Sequence, residues 1–297
     1  MIGFSLPLLA VHVSDGVLDW PILALGFAGT AILVMASLWK LDDREIPKIA
    51  LLTSAFFVAS SIHVPIGPSS VHLLLNSLVG VLLGWRAPLA IATGVTLQAV
   101  LIPHGGISTI GINALAEILP ALAAFLLYPW IISCCRNRWM SGLLSFVTIL
   151  FCLASVVFFV ALLVNNPWKT TALEQADGNW LPLAAFAQPL RVLLSPISLL
   201  GLGIATSLLT WLVRRLHPSD VFPAGAFLGA LSVLATVTLI GAALVANGAE
   251  EFGIYANSVI LAHIPLAMVE GFLLGSTLVY LDRVKPEMLP ARKSSGP

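Results

Sequence analysis

The sequence predicts an all-α polytopic membrane protein of about nine transmembrane helices, within a range of roughly seven to nine, with the N-terminus outside and the C-terminus inside. Three observations carry this. Only 9% of the 297 residues are charged and 59% are hydrophobic, giving a mean hydropathy of +1.01, whereas a soluble domain is roughly one-quarter charged. Apolar stretches approaching the roughly 20 residues that a bilayer crossing needs follow one another with short polar breaks. Lys and Arg fall on alternate breaks, as they do when basic loops stay cytoplasmic.

In chain order the spans run 20–39, 47–62, 72–84, 88–103, 110–133, 141–164, 191–213, 222–247 and 257–281. The third and fourth are short, which implies tilted helices or broken ones that enclose a buried loop. With the N-terminus outside, the inner side receives Lys40, Arg44, Lys48, Arg86, Arg136, Arg138, Arg214, Arg215, Arg283, Lys285, Arg292 and Lys293, all but two of the 14 basic residues. Lys169 and Arg191 are the exceptions. A miscounted helix would scramble that alternation. The formal net charge of zero says nothing further about partners, and no basic patch points to nucleic acid.

On this topology five of the six histidines gather at the outer face. His12 precedes the first span, His63 and His72 flank the loop between the second and third, His104 opens the loop after the fourth, and His263 lies in the outer part of the ninth. Only His217 falls inside. Neutral imidazole is the commonest protein metal ligand. Pro65, Gly67 and Pro68 forbid a regular helix over 62–72, and the same holds for Pro103-His104-Gly105-Gly106. Irregular backbone at membrane depth survives only when buried in protein or lining a cavity. Two irregular outer loops and the N-terminal segment are therefore expected to converge as a buried, imidazole-bearing metal pocket.

These motifs resemble the CbiM/NikM family, the substrate-binding membrane subunits of energy-coupling-factor cobalt and nickel uptake systems. Val11-His12-Val13-Ser14-Asp15-Gly16 keeps the His and the Asp-Gly of the family's Met-His-Ile-Pro-Asp-Gly start. Pro65-Ile66 with Ser70-Val71-His72-Leu73 resembles its loop ending in a metal-binding His. Gln98-Ala99-Val100-Leu101 and His104 through Asn113 are similar to its Gln-Ala-Leu-Leu and Gly-Gly-Leu-Thr-x-Leu-Gly-x-Asn block. His263-Ile264-Pro265-Leu266, Glu270-Gly271 and Arg283 through Glu287 look like its last helix and tail. The likeness covers about 1–125 and 257–290 and leaves the middle third unmatched. It organises the chain as an N-terminal metal-binding segment (1–19, of which 1–10 is a candidate for removal), a metal-binding helical core (20–134), additional transmembrane helices (135–256), and a last helix with a cytoplasmic tail (257–297).

The resemblance implies a transport subunit rather than an enzyme, in the cell (inner) membrane with its site facing outside. It would hold Ni2+ or Co2+ as substrate, with no resident cofactor. Its implied partners are a transmembrane coupling protein and ATP-binding subunits, with a small accessory membrane subunit as a further candidate. Carried over residue by residue, the ligands are the amine of Val11, the amide and imidazole of His12, and His72; planar nitrogen sets of this kind suit Ni(II) and Cu(II). The chain departs from the pattern because Met1–Ala10 precede Val11. That segment is apolar and ends in Ala like the tail of a signal peptide, but it is short and lacks a basic start. If it stays attached, an ordinary amide replaces the amine, and His63 or His104 becomes the candidate for the missing nitrogen; otherwise those two are expected to hydrogen-bond behind the ligands.

Other groups carry plainer expectations. Asp15 orients the N-terminal segment, and Asn113 and Gln98 satisfy helix or loop hydrogen bonds. Glu117 and Glu270, inside spans, need partners, with a subunit interface one option for Glu270. There is no His-Glu-x-x-His, no P-loop and no disulfide or zinc pattern among Cys134, Cys135 and Cys152. Two other readings stay open: a stand-alone metal permease without ATP coupling, and a haem-binding redox protein, which would need imidazoles facing each other across helices.

Overall fold

Proline and glycine cut the apolar chain into nine helices of eight or more residues among those described. They are α1 (Trp20–Leu38), α2 (Ile46–Ser60), α3 (Asn76–Leu83), α4 (Ala87–Leu101), α5 (Ile110–Cys135), α6 (Arg138–Asn165), α7 (Pro196–Leu216), α8 (Val221–Ala246) and α9 (Gly253–Val284). The computed structural model describes residues 12–66, 69–102, 104–165, 189–216, 219–247 and 253–290. Pro21, Pro47 and Pro88 lie in the first turns of α1, α2 and α4, where the missing N–H costs nothing. Residues 62–72, expected to be irregular, contain an antiparallel ribbon of Val64–Ile66 with Ser69–Val71, in the register Val64↔Val71.

Seven helical runs among the described residues are long and apolar enough to cross a bilayer. One of them, Asn76–Leu101, joins α3 and α4 through a tight turn at Gly84–Arg86. Gly84 takes a φ of +58°, which a side chain would oppose. Arg86 at that turn bonds the carbonyls of Ser37, Trp39 (2.9 Å) and Lys40 (2.8 Å), capping the last turn of α1, and pairs with Glu45 at 2.8 Å. His72 before α3 and His104 after α4 instead sit against His12, at the other end of α1. So α3 descends through the bundle and α4 returns. Each of the nine expected spans thus has a helix, the third shortened because His72–Leu75 are irregular backbone.

α5 is the central post, packed against α1, α3, α4 and α8. The tightest pairing is α8 with α9. Gly225 and Gly229 on one helix meet Gly271 and Gly275 on the other: a Cβ on Gly229 would lie 2.7 Å from the Glu270 carbonyl oxygen, and one on Gly275 would lie 2.9 Å from that of Phe222. Two facing Gly-x-x-x-Gly stripes let the backbones touch, the packing that substitutes for a hydrophobic driving force inside lipid. α6 and α7 sit at the periphery with large apolar side chains uncovered, Ile197 at 86% and Trp139 at 87%. In water that surface would be an aggregation hazard; in a bilayer it is the solvated face.

The close α8–α9 contact yields a prediction. Gly229→Leu should cost about 1–3 kcal/mol through overpacking, read as an earlier unfolding midpoint in a detergent denaturation series. Gly201→Leu, where an added Cβ meets nothing within 4 Å, should leave the midpoint in place; equal midpoints for the two variants would contradict the packing.

Candidate metal centre

The site begins with a short extended segment fixed by side chains far along the chain. Asn113, in the first turn of α5, accepts from Val13 N through Oδ1 (2.9 Å) and donates to Val13 O through Nδ2 (3.0 Å), holding both backbone groups of one residue. Thr109 Oγ1 also donates to Val13 O at 2.7 Å. Two residues on, the Asp15 carboxylate accepts from Ile107 N (3.1 Å), Ser108 N (2.8 Å) and Ser108 Oγ (2.5 Å). These charge-assisted bonds, Ser108 hydroxyl foremost, keep the Asp15 pKa below its ordinary 3.8 against a smaller opposing effect of burial. Gly105 (φ +76°) and Gly106 make the docking possible: a Cβ on Gly105 would meet His12 Cβ at 3.2 Å, and one on Gly106 would run into Asp15. Asn247, just past α8, grips Asp19 N (2.6 Å) and Val17 O (3.2 Å).

That docking buries His12 to 2% exposure beside His72 and His104. One ring nitrogen from each lies within 4.8 Å of the others, a spacing that a single ion can bridge. Ring centroids are 5.2 Å apart for His12 and His72, 4.7 Å for His12 and His104, and 4.9 Å for His72 and His104. His63 joins at the edge, its Nε2 3.2 Å from His104 Nε2.

The tautomers follow from the partners. A carbonyl only accepts, so His72 Nδ1–H donates to Leu73 O (3.1 Å) and His63 Nδ1–H to Ser61 O (3.0 Å), leaving each Nε2 a lone pair. His12 Nε2 stands 3.1 Å from Glu117 Oε1, within ion-pair range though not aligned as a hydrogen bond, while His12 Nδ1 and His72 Nε2 are buried without any partner. Orphaned buried nitrogens are rare in native proteins and mark a place for a ligand. Imidazoles that offer one nitrogen inward and tie the other to a carbonyl or carboxylate have the arrangement of oriented metal ligands.

Burial favours the neutral form of His63, His72 and His104. It pushes His104 down to about 2, reinforced by charge on His12 and His63, and pushes His72 well below its ordinary value, with His12 and His104 adding to the effect. His63 is lowered by burial, partly offset by its bond to Ser61. A neutral ring has its lone pair ready for a metal.

Glu270 sits inside the bundle at 1% exposure rather than at a subunit interface. Its Oε1 accepts from Leu74 N (2.6 Å) and Leu75 N (3.0 Å), holding the irregular backbone that follows His72, where Leu75 takes a φ of +49°. The last helix thereby fixes the loop that carries His72, almost 200 residues earlier. His263, two turns before Glu270 on α9, is fully buried with Nδ1–H donating to Val259 O at 2.7 Å and Nε2 unpartnered. Val11 and His217 lie outside the described residues. Sequence reading missed Thr109 and Ser108, whose signal is only their place in the Gly-Gly loop, and did not pair Glu117 with His12.

A multi-pass helical bundle with four imidazoles gathered at one end is a membrane protein built around a nitrogen-rich cluster. The sequence profile of CbiM, the cobalt uptake substrate-specific transmembrane region, matches residues 12–201 and 184–288, and the chain belongs to that family. A Haemophilus influenzae protein named for metal transport is 38% identical over 118 residues, covering 40% of this chain and 57% of its own length. An Archaeoglobus fulgidus protein, named as a fused nickel transport protein NikMN, is 30% identical over 106 residues, 35% of this chain and 36% of its own. The chain therefore spans well under two-thirds of these relatives. A solved transition metal transporter shares the fold, with a TM-score of 0.52 over 92% of this chain and 93% of that one at 17% identity.

The Asp15 tether should be pH-dependent in a defined direction. Because its folded pKa lies below 3.8, its contribution to docking is complete above that value and is lost as pH falls through the folded pKa. Hydrogen exchange at the Ile107 and Ser108 amides should accelerate on acidification, and Asp15→Ala should show the fast rate at neutral pH; slow exchange in the variant would contradict the tether.

Proposed function

We propose that this chain is the substrate-specific membrane subunit of an uptake system for Ni2+ or Co2+. The ion is captured on the outer face and passed inward by ATP-driven coupling subunits. The observation that carries this reading is the pair of buried, unpartnered nitrogens, His12 Nδ1 and His72 Nε2, beside His104. Imidazole donors without thiolate or clustered carboxylate favour borderline metals over Mg2+ or Ca2+. Within this reading His12 and His72 are the primary ligands and His104 a third. His63 stands behind His104, and His104 supplies the nitrogen that the Val11 amine would give if Met1–Ala10 were removed.

The outer location of the site rests on charge: Arg86, Arg136, Arg214 and Arg215 lie at the end of the bundle away from the imidazoles, and basic ends face the cytoplasm. A companion subunit is supported by the fused name of the Archaeoglobus relative, and separate ATP-binding subunits by the lack of a P-loop in this chain. A haem reading fits poorly, since imidazole centroids 4.0–5.2 Å apart leave no room for a porphyrin between them.

Metal analysis of purified protein tests the assignment. His12→Ala and His72→Ala should each lower bound Ni2+ or Co2+ at least about tenfold, the loss typical of removing a metal ligand or its support, while His217→Ala retains it. Equal retention, or equal loss in all three, would defeat the assignment. Uptake in cells lacking every coupling subunit would instead favour a stand-alone permease.

A further inference from the structure

At the end of the bundle away from the imidazoles, a cavity of about 1380 Å³ opens between α6, α7 and the start of α8. Arg138, Arg214 and Arg215 line it, with Asp220 the one acidic residue in its wall among the described residues. Among the described residues none of these arginines forms an ion pair. Two of them are nevertheless placed: the Arg215 guanidinium lies 5.1 Å over the Trp211 ring, and Arg214 Nη1 rests against the bare backbone of Gly142, in the space a Cβ there would need. Thr210 Oγ1, also in the wall, is shielded from solvent and has no partner.

Two long helices start at this cavity, α6 at Arg138 and α8 at Val221. Their positive dipole ends add to the field of the three guanidiniums and offset the negative end of α7, which stops here at Leu216. Below the charges the wall turns apolar, with Leu143, Phe146 and Phe222. Trp139 and Trp211 stand at the mouth, 87% and 57% exposed, as tryptophans do at the bilayer interface. A cationic end, an apolar wall below it and tryptophans beside the charges together match one amphiphile: a phosphate group carrying acyl chains. Free phosphate would leave the apolar wall empty, and a zwitterionic headgroup would bring its own cation against a cluster with three arginines to one aspartate.

We propose that this cavity is a binding site for an anionic phospholipid of the bilayer, its phosphate held by Arg138, Arg214 and Arg215 and its acyl chains laid along α6 and α8. The lipid fills the gap beside the loosely covered α6–α7 pair and fastens it to α8. This site is separate from the imidazole pocket and stands whether or not that pocket holds metal.

Native mass spectrometry of the full chain, released from phosphatidylcholine vesicles doped with phosphatidylglycerol, tests it. Phosphatidylglycerol adducts should persist where phosphatidylcholine adducts do not, and inorganic phosphate should fail to displace them. Arg138→Gln and Arg214→Gln should each weaken retention about fivefold, the effect expected for one basic residue at a lipid surface, whereas Arg214→Lys should keep most of it and Arg283→Gln all of it. The unfolding midpoint of each variant in a detergent denaturation series reports folding, and the charge-keeping Arg214→Lys decides the matter if Arg214→Gln does not fold. Equal retention of both lipids, as expected of a cavity filled by a protein partner, displacement by inorganic phosphate, or unchanged retention in the glutamine variants would overturn the proposal.

Discussion

The bidentate grip of Asn113 on Val13 is the constraint on which the site depends. A chain segment of this length, outside any helix, would not hold an imidazole in place by itself, because ordering each backbone residue costs roughly 1–2 kcal/mol. Here both polar groups of Val13 are satisfied by one amide at the start of α5, and the adjacent Asp15 is held by the amides of the 104–109 loop. Net worth per bond is about 1 kcal/mol, so the set together offsets the ordering of a few residues. His12 then arrives buried against the central helix.

The other imidazoles are held from different directions. His104 follows α4, whose last turn it extends by donating its own N–H to Gln98 O at 3.1 Å. His72 stands on irregular backbone that Glu270 accepts from α9. Three separate elements therefore converge on one pocket, and two of the three are fixed by single polar side chains from helices distant in sequence. A pocket assembled in this way couples ligand geometry to helix placement: a displacement of α9 relative to α5 moves His72 relative to His12. That property suits a carrier that must both capture an ion and let it go.

Much of this was legible in the residues themselves. The alternation of basic breaks ordered nine crossings, and the histidine positions on that order brought His12, His63, His72 and His104 to one end, where the structure has them together. Residues 72–75 were read as helix because Val71, Leu73, Leu74 and Leu75 are as apolar as any span. In a bundle facing both lipid and protein, apolar periodicity no longer separates helix from buried irregular chain; what decides here is a carboxylate at position 270. The His12–Glu117 contact was equally hidden, since nothing local pairs residues a hundred positions apart. The facing glycine stripes of α8 and α9 were present in the sequence as Gly225-x-x-x-Gly229 and Gly271-x-x-x-Gly275, and reading them would have paired those helices in advance.

The central claim is that the ion is held by imidazole nitrogen in this pocket. X-ray absorption at the metal edge of the Ni2+- or Co2+-loaded protein tests it most directly. The account predicts a first shell of nitrogen with the outer-shell scattering that imidazole rings produce from at least two histidines. A shell made of oxygen or sulfur alone, without the imidazole signature, would contradict it.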